Sequence, residues 1–327
     1  MTPLTISVAM CTFNGERFLP AQLESIGTQQ RVPDELVVCD DRSSDRTIAI
    51  LEGFARRVPF PVRIQINAAN LGSTRNFEKC ISLCRGTIVA LADQDDIWYR
   101  HKLRRIAESF TESSNVVAAF SDADVVDDHT RLLGLSLWTT FQFNSARQKG
   151  FANGRASAIL CNHPMVTGAT MAFRREYVDA MLPIPSQQFH DAWISFLLTT
   201  IGRFEVIREP LMQYRRHQHQ QIGPGAGSLH FWQQFAEVTK KGRQRRFEEI
   251  DRFQELHTIL IQRAENFPHA ESARKEIEGK LSHLGRRARL PRPRIARVSG
   301  VLHETVTGAY WHYSNGWKSI AKDLFFP

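Results

Sequence analysis

The chain has 327 residues, 42% of them hydrophobic, and a formal net charge of +8. It is long enough for one large or two smaller packed domains, and no apolar stretch reaches the ~18 residues of a membrane span. Residues 240–297 hold 16 Lys or Arg against 8 Asp or Glu, which accounts for the whole excess and leaves the rest of the chain neutral on balance.

In chain order, residues 5–11 form a β-rich run, and Phe18, Leu19, Leu23 and Ile26 recur at helical spacing within 18–29. A buried-strand run follows at 36–39, and Ser44 and Asp45 are placed to cap a helix through 54. Strands at 62–66 and 88–92 flank a helix at 76–84. This alternation predicts a mostly parallel α/β sheet with helices on both faces, whose ligands gather at the carboxyl ends of the strands. Beyond it, a strand at 116–125 ends in Asp122 and Asp124. Residues 134–165 read as an irregular, aromatic-rich loop lining an acceptor site. A strand-like run at 165–173, an amphipathic helix at 190–200 and a last short strand at 204–207 complete the pattern. Gly223-Pro224-Gly225-Ala226-Gly227 marks the expected boundary between a main domain of residues 1–225 and a smaller, helical, basic region of 226–327.

Residues 1–7 lack the basic-then-apolar pattern of a secretory leader, and five cysteines without zinc spacing fit buried thiols in a reducing cytoplasm. A basic C-terminal segment suits an anionic partner. Phospholipid is preferred over nucleic acid, because no nucleic-acid reader motif accompanies the charge.

The most informative stretch is Ile88-Val-Ala-Leu-Ala-Asp93-Gln94-Asp95-Asp96-Ile97-Trp98, an apolar strand ending in three carboxylates. Clustered Asp repel unless a cation lies between them, and Mg²⁺ or Mn²⁺ commonly holds a substrate diphosphate at such oxygens. The bland alternative is a solvated acidic turn. Two earlier strand ends are also polar: Cys11-Thr12-Phe13-Asn14-Gly15-Glu16 and Asp40-Asp41-Arg42-Ser43-Ser44-Asp45. They lack the glycine pattern that wraps a pyrophosphate and offer side-chain oxygens and amides instead, although several are equally good caps. Three adjacent polar strand ends favour a site.

Those three series, with Asn70-Leu71-Gly72 and Arg75-Asn76-Phe77, resemble family 2 glycosyltransferases over roughly residues 4–225. The resemblance implies a GT-A fold and an activated sugar taken from a nucleotide diphosphate. Arg42 departs from it, standing where the family usually has Gly. On this resemblance Thr12, Asn14 and Glu16 line the nucleoside pocket, Asp40 or Asp41 bonds the base, and Arg75 approaches the diphosphate. Asp93 faces the ribose or sugar and Asp95 binds the metal, while Asp96 is either a further ligand or a cap. Trp98 and Lys102 match the family's continuation, as packing or as contacts.

Asp191, in His190-Asp191-Ala192-Trp193, is by itself an ordinary N-cap. In the resemblance it is the general base of inverting transfer, with Trp193 stacking on a sugar and His190 as an orienting neighbour on the acceptor side. His217, in Tyr214-Arg215-Arg216-His217, is the matching histidine for the metal or diphosphate site, with a basic surface loop as its alternative. Together these motifs are similar to bacterial enzymes of O-antigen and other surface polysaccharide synthesis, several of which use dTDP-rhamnose.

The expected activity is therefore a metal-dependent, inverting transfer from a nucleotide sugar to a glycan or lipid-linked acceptor. dTDP-rhamnose is the first donor expected and a UDP-sugar the second. Arg286, Arg287, Arg289, Arg292, Arg294 and Arg297 suit the headgroups of an anionic membrane at its inner face. Trp311, Trp317, Phe325 and Phe326 read first as an ordinary packed helix and second as interfacial anchors, and a homo-oligomer is the other use for that region. Two other readings compete. A nucleotidyltransferase would need a Gly-rich triphosphate loop, which is missing. A non-catalytic nucleotide-sugar or glycan-binding subunit would keep the fold without turnover.

Overall fold

The computed structural model describes residues 4–113, 115–163, 165–217, 242–291 and 293–325. The apolar runs Ile6–Thr12 (β1), Glu35–Asp40 (β2) and Ile88–Ala92 (β4) are buried along almost their whole length. Strands with no polar face must lie inside a sheet covered on both sides. Val62–Ile66 (β3) is half-exposed and forms one edge. These four strands are mutually parallel, in the order β3-β2-β1-β4.

The sheet continues through Met171–Arg174 (β8), Val116–Val126 (β6), Arg203–Arg215 (β9) and Ile97–Trp98 (β5), with Leu132–Ser136 (β7) paired to β6. Here β8 runs antiparallel to both neighbours, whereas β6 and β9 are parallel. The last strand is far longer than the expected 204–207. Arg208, Glu209 and Pro210 break its apolar pattern, and the register slips there, pairing Asp122 with Pro210. A bulge of this kind hides a strand from periodicity. It also delivers the residues after Arg215 to the carboxyl end of β4.

One sheet face is covered by Leu19–Gly27 (α1), Thr47–Ala55 (α2) and Lys102–Thr111 (α4), through Leu23, Ile26, Leu51, Phe54, Leu103 and Phe110. The other carries Ser73–Leu83 (α3), three short helices Leu137–Thr140 (α5), Ser145–Gly150 (α6) and Ala156–Asn162 (α7), then Val178–Met181 (α8) and His190–Leu198 (α9). Residues 134–165 are thus not an irregular loop. Trp138, Phe143 and Phe151 pack around Phe120, with ring centroids 5.3–5.7 Å away. Most of the segment's aromatics are core.

The first two C-terminal helices, Gly242–Ala264 and Ala270–Ala288, extend this second core through Phe253, Leu256, Leu260, Ile277 and Leu284. The last three, Arg294–Val306, Ala309–Tyr313 and Trp317–Phe325, close over a small core of Val301, Tyr310 and Ile320. Two arginines expected at a membrane are buried here. Arg287 pairs with Asp323 at 2.5 Å, and Arg297 donates to the Pro291 and Asp323 carbonyls. A third, Arg286, is paired with Glu304. The expected boundary at 223–227 and Arg292 lie outside the described residues. No described helix is long and apolar enough to cross a membrane.

Candidate active site

Parallel register sets the site. Thr12 lies opposite Asp40, and Met10 opposite Ala92, so the three polar strand ends emerge side by side. They open into a cavity of about 550 Å³. Asp93 and Asp95 project into it from beyond β4, and Asp191 reaches it from the first turn of α9.

Asp95 meets His217 across 122 residues of sequence, with Oδ2 2.8 Å from Nε2. Arg215 fixes this approach by donating Nε to the Asp95 carbonyl at 2.7 Å, while its backbone N–H donates to Asp96 Oδ1 at 3.0 Å. Asp96 is therefore turned into the interior, where it anchors β9. Burial raises its carboxyl well above the usual range.

Asp93 is pushed up to about 7, first by burial and then by the charges of Asp95 and Asp191. The three carboxylates thus converge on one volume. Asp191 accepts from the Gly168 amide at 3.3 Å and from the Ala192 amide at 2.8 Å, which leaves lone pairs for a ligand.

Beneath this cluster is a fully buried lysine. Lys102, 1% exposed, donates to the Ala169 carbonyl at 2.6 Å and stands 4.0 Å over the Trp98 ring. Burial lowers its ammonium to about 7, against the pull of Asp96 and Asp93. Lys102 and Trp98 are therefore packing beneath the site and do not reach a ligand.

The two earlier strand ends are knitted to each other. Thr12 donates its hydroxyl to Asp40, and Asp40 also accepts from the Ser43 amide and hydroxyl. Asp40 is 0% exposed and fully engaged, so it cannot bond a base. Asp41 lines the cavity in its place, held by the Asn67 side-chain amide and the Leu71 and Gly72 amides.

Asn14 and Glu16 also correct the expectation. Asn14 accepts from the Ser44 amide, and Glu16 from the Arg46 amide, so both brace one loop on the other outside the cavity lining. Arg75 pairs with Glu78 at 2.6 Å, and Ser73 and Asn76 form the wall beside it. Thr12 and Asp41 remain at the wall. Sequence reasoning missed Gln94, whose amide accepts from and donates to the Phe13 backbone. A Cβ on Gly15 would collide with this side-chain amide, so any larger residue there would displace Gln94.

On the acceptor side, Trp193 is 0% exposed and donates its indole N–H to the Met181 carbonyl at 2.7 Å, so it cannot stack on a sugar. A residue two positions after Asp191 is rotated roughly 200° around the helix, away from the cavity. His190 lines the cavity but is packed in its wall. Its ring stacks on Phe77 at 4.1 Å, and burial lowers its pKa and keeps it neutral.

Asp95 and His217 offer one oxygen and one nitrogen to a divalent cation, and no described group of three or more His, Cys, Asp or Glu forms a closed metal cage. Such an open pair fits Mg²⁺ or Mn²⁺, which commonly completes its shell with water and substrate phosphates.

A family model described as glycosyl transferase family 2 matches residues 7–182. Over 222 residues the chain is 28% identical to an uncharacterised glycosyltransferase of Nostoc sp., covering 65% of each protein. Over 228 residues it is 27% identical to the dTDP-rhamnosyl transferase RfbG of Shigella flexneri, covering 65% of this chain and 73% of RfbG. The matches thus span about two thirds of these relatives' lengths. Among solved structures, S. aureus TarS 1–349 in complex with UDP-GlcNAc superposes with a TM-score of 0.53 at 16% identity, covering 98% of this chain and 91% of that one. The mannosyltransferase PcManGT from Pyrobaculum calidifontis, in complex with GDP-Man and Mn²⁺, also gives 0.53, at 17% identity, covering 99% and 86%. These likenesses identify the fold as GT-A. With the family model spanning more than half of its length, the chain belongs to glycosyl transferase family 2.

Proposed function

We propose that this protein is an inverting glycosyltransferase that moves a sugar from a nucleoside-diphosphate donor to a hydroxyl of a glycan or lipid-linked acceptor, in bacterial surface polysaccharide synthesis. The observation that carries it is the convergence of Asp93, Asp95 and Asp191 on one cavity. Asp191 takes the acceptor's proton as the hydroxyl oxygen attacks the anomeric carbon, and the bond to the diphosphate breaks on the opposite face. Asp41 and Thr12 hold the nucleoside side, and Asp93 meets the sugar. Asp95 and His217 would hold Mg²⁺ or Mn²⁺, which when bound would supply positive charge against the departing diphosphate.

Similarity to RfbG supports dTDP-rhamnose as the donor, with a UDP-sugar second. The test is a donor screen with and without chelator, on wild type, Asp95→Ala and Asp191→Asn. Transfer should be lost in both variants and on chelation. Full activity in both variants would sink the mechanism. Tight donor binding without turnover in wild type would favour a non-catalytic binding subunit.

The same reading places the enzyme in the cytoplasm, at the inner face of an anionic membrane. Helix Arg294–Val306 exposes Ile295 (90%), Val298, Leu302 and Val306 (79%) along one stripe, beside exposed Trp311, Trp317 and Phe325. Exposed Arg289, Arg294 and Lys318 flank it. An apolar stripe with a cationic rim suits an interfacial helix. Co-sedimentation with phosphatidylglycerol vesicles, weakened by Leu302→Asp, is expected. A chain that stays in the supernatant and sediments as a dimer through this stripe would refute it and point to a homo-oligomer.

A further inference from the structure

One wall of the cavity comes from outside the motifs that place the donor. Glu249, Arg252, Phe253 and Leu256 of helix Gly242–Ala264 line it, at spacings of three, four and seven residues, which is one face of a helix. That helix is latched to the loop leading into Asp191. Gln188 donates its side-chain amide to the Arg252 carbonyl at 3.0 Å, Ser186 and the Gln187 amide bond Glu255, and Arg263 donates to the Pro183 carbonyl at 2.8 Å.

The charges along the cavity are unequal. The donor side presents Asp41, Asp93 and Asp95, and Asp191 stands between it and the C-terminal helix. Arg252 is the only Lys or Arg among the described residues that line the cavity. Its guanidinium lies 5.5 Å from the Phe253 ring. Glu249, one turn away, is engaged by Lys280 at 3.3 Å, and no carboxylate of the described residues pairs with Arg252. Phe253 and Leu256 continue the wall as an apolar surface, and Phe189, at the end of that loop, also lines the cavity.

We propose that this helix face is the acceptor subsite, and that Arg252 anchors an oxyanion carried by the acceptor next to a ring that packs on Phe253. The assignment rests on the transferase reading above, since it takes Asp191 as the point where the acceptor hydroxyl reacts. A guanidinium offers paired N–H donors to a phosphate or a carboxylate. The oxyanion belongs either to a phosphoryl group at the acceptor's reducing end or to the carboxylate of an acidic sugar. Both keep the acceptor's charge away from the acidic donor wall, which orients it with its hydroxyl toward Asp191.

The test uses the full chain with Mn²⁺ and saturating nucleoside diphosphate, so that the donor side is filled. Thermal shift and saturation-transfer NMR then measure binding of phenyl phosphate, phenyl glucuronide and, as the neutral control, phenyl glucoside. At least one anionic probe should bind more tightly than the neutral one. Arg252→Gln should weaken that probe by about 10- to 100-fold, and Arg252→Lys by less, while nucleotide affinity is unchanged. Preference for the phosphate or for the glucuronide identifies the source of the oxyanion. Equal binding of neutral and anionic probes, equal binding by Arg252→Gln, or no probe binding to wild type overturns the assignment. Nucleotide binding lost in Asp95→Ala is read in the same samples, so failure of the transferase reading itself would appear there and not at Arg252.

Discussion

Arg42 offers the sharpest test of the backbone geometry at the nucleoside side of the cavity. Its φ is +67°, a left-handed conformation that costs a non-glycine residue about 1–2 kcal/mol. The turn holds this shape because Ser43 donates its amide to Asp40 at 2.7 Å and its hydroxyl at 2.6 Å, and because the Asp41 amide donates to the Thr12 carbonyl at 2.8 Å. None of these bonds uses the Arg42 side chain, which is exposed. Arg42→Gly removes the strain but loosens the unfolded chain, at about 0.5–1 kcal/mol. The expected net gain is therefore about 0–1.5 kcal/mol, or up to roughly 4 °C for a chain of this size. Arg42→Ala keeps the Cβ and deletes the charge, so its expected gain is near zero. Urea denaturation reads the difference as a shift in midpoint at constant slope. If Arg42→Ala stabilises as much as Arg42→Gly, charge and not backbone conformation explains the effect, and the reasoning fails.

Two further outcomes follow from buried contacts. Gly15→Ala should push Gln94 off the Phe13 backbone and cost about 1–2 kcal/mol for the lost hydrogen bonds. In a Gln94→Ala background the same change should cost much less, and a double-mutant cycle showing simple additivity would contradict the contact. Burial pushes His283 down to about 4 from its ordinary 6.5. Between those values the unfolded chain binds a proton that the folded chain excludes, so stability is lost as pH falls from 6.5 toward 4. The loss is about 1.5 kcal/mol between pH 6.5 and 5. His283→Gln should flatten that part of the urea-derived stability profile, and an unchanged slope would refute the attribution.

The strand-end architecture was legible because its signals are local. Apolar runs with no polar face, each ending in Asp or Asn, allow little but a covered parallel sheet with its site at one edge. The resemblance then joined Asp95 to His217 and Asp93 to Asp191, pairs that no local pattern connects. What escaped was orientation. Trp193 follows Asp191 closely in sequence, yet helix geometry turns it into the core. Asp40 and Asp41 are identical in type, and only the fold shows that Asp40 is consumed by Thr12 and Ser43. The aromatics of 134–165 were read as a lining because clustered aromatics fit a core and a sugar site equally well. The face formed by Glu249, Arg252, Phe253 and Leu256 has readable helical spacing, but no feature of that spacing says what it packs against.

The latch between the C-terminal helix and residues 183–188 bears on how the two ends of the cavity act together. Asp191 is positioned from behind by Gly168 and from below by α9, but the loop that introduces it is held by Glu255, Arg252 and Arg263. A catalytic carboxylate needs its place fixed to within a fraction of an ångström. The helix that supplies Arg252 to the cavity is therefore also the helix that holds the loop leading into Asp191. On the proposed reading, an acceptor gripped by Arg252 and deprotonated by Asp191 is held by two groups on one bonded unit, so that binding and proton removal share a frame. The carboxylates Asp41, Asp93 and Asp95 belong to a separate frame, built by β1, β2 and β4, where burial and the neighbouring charges push Asp93 up to about 7. The proposed roles thus give each substrate the charge it needs on its own wall: a cation for the diphosphate beside Asp95, and a guanidinium for the acceptor beside Phe253.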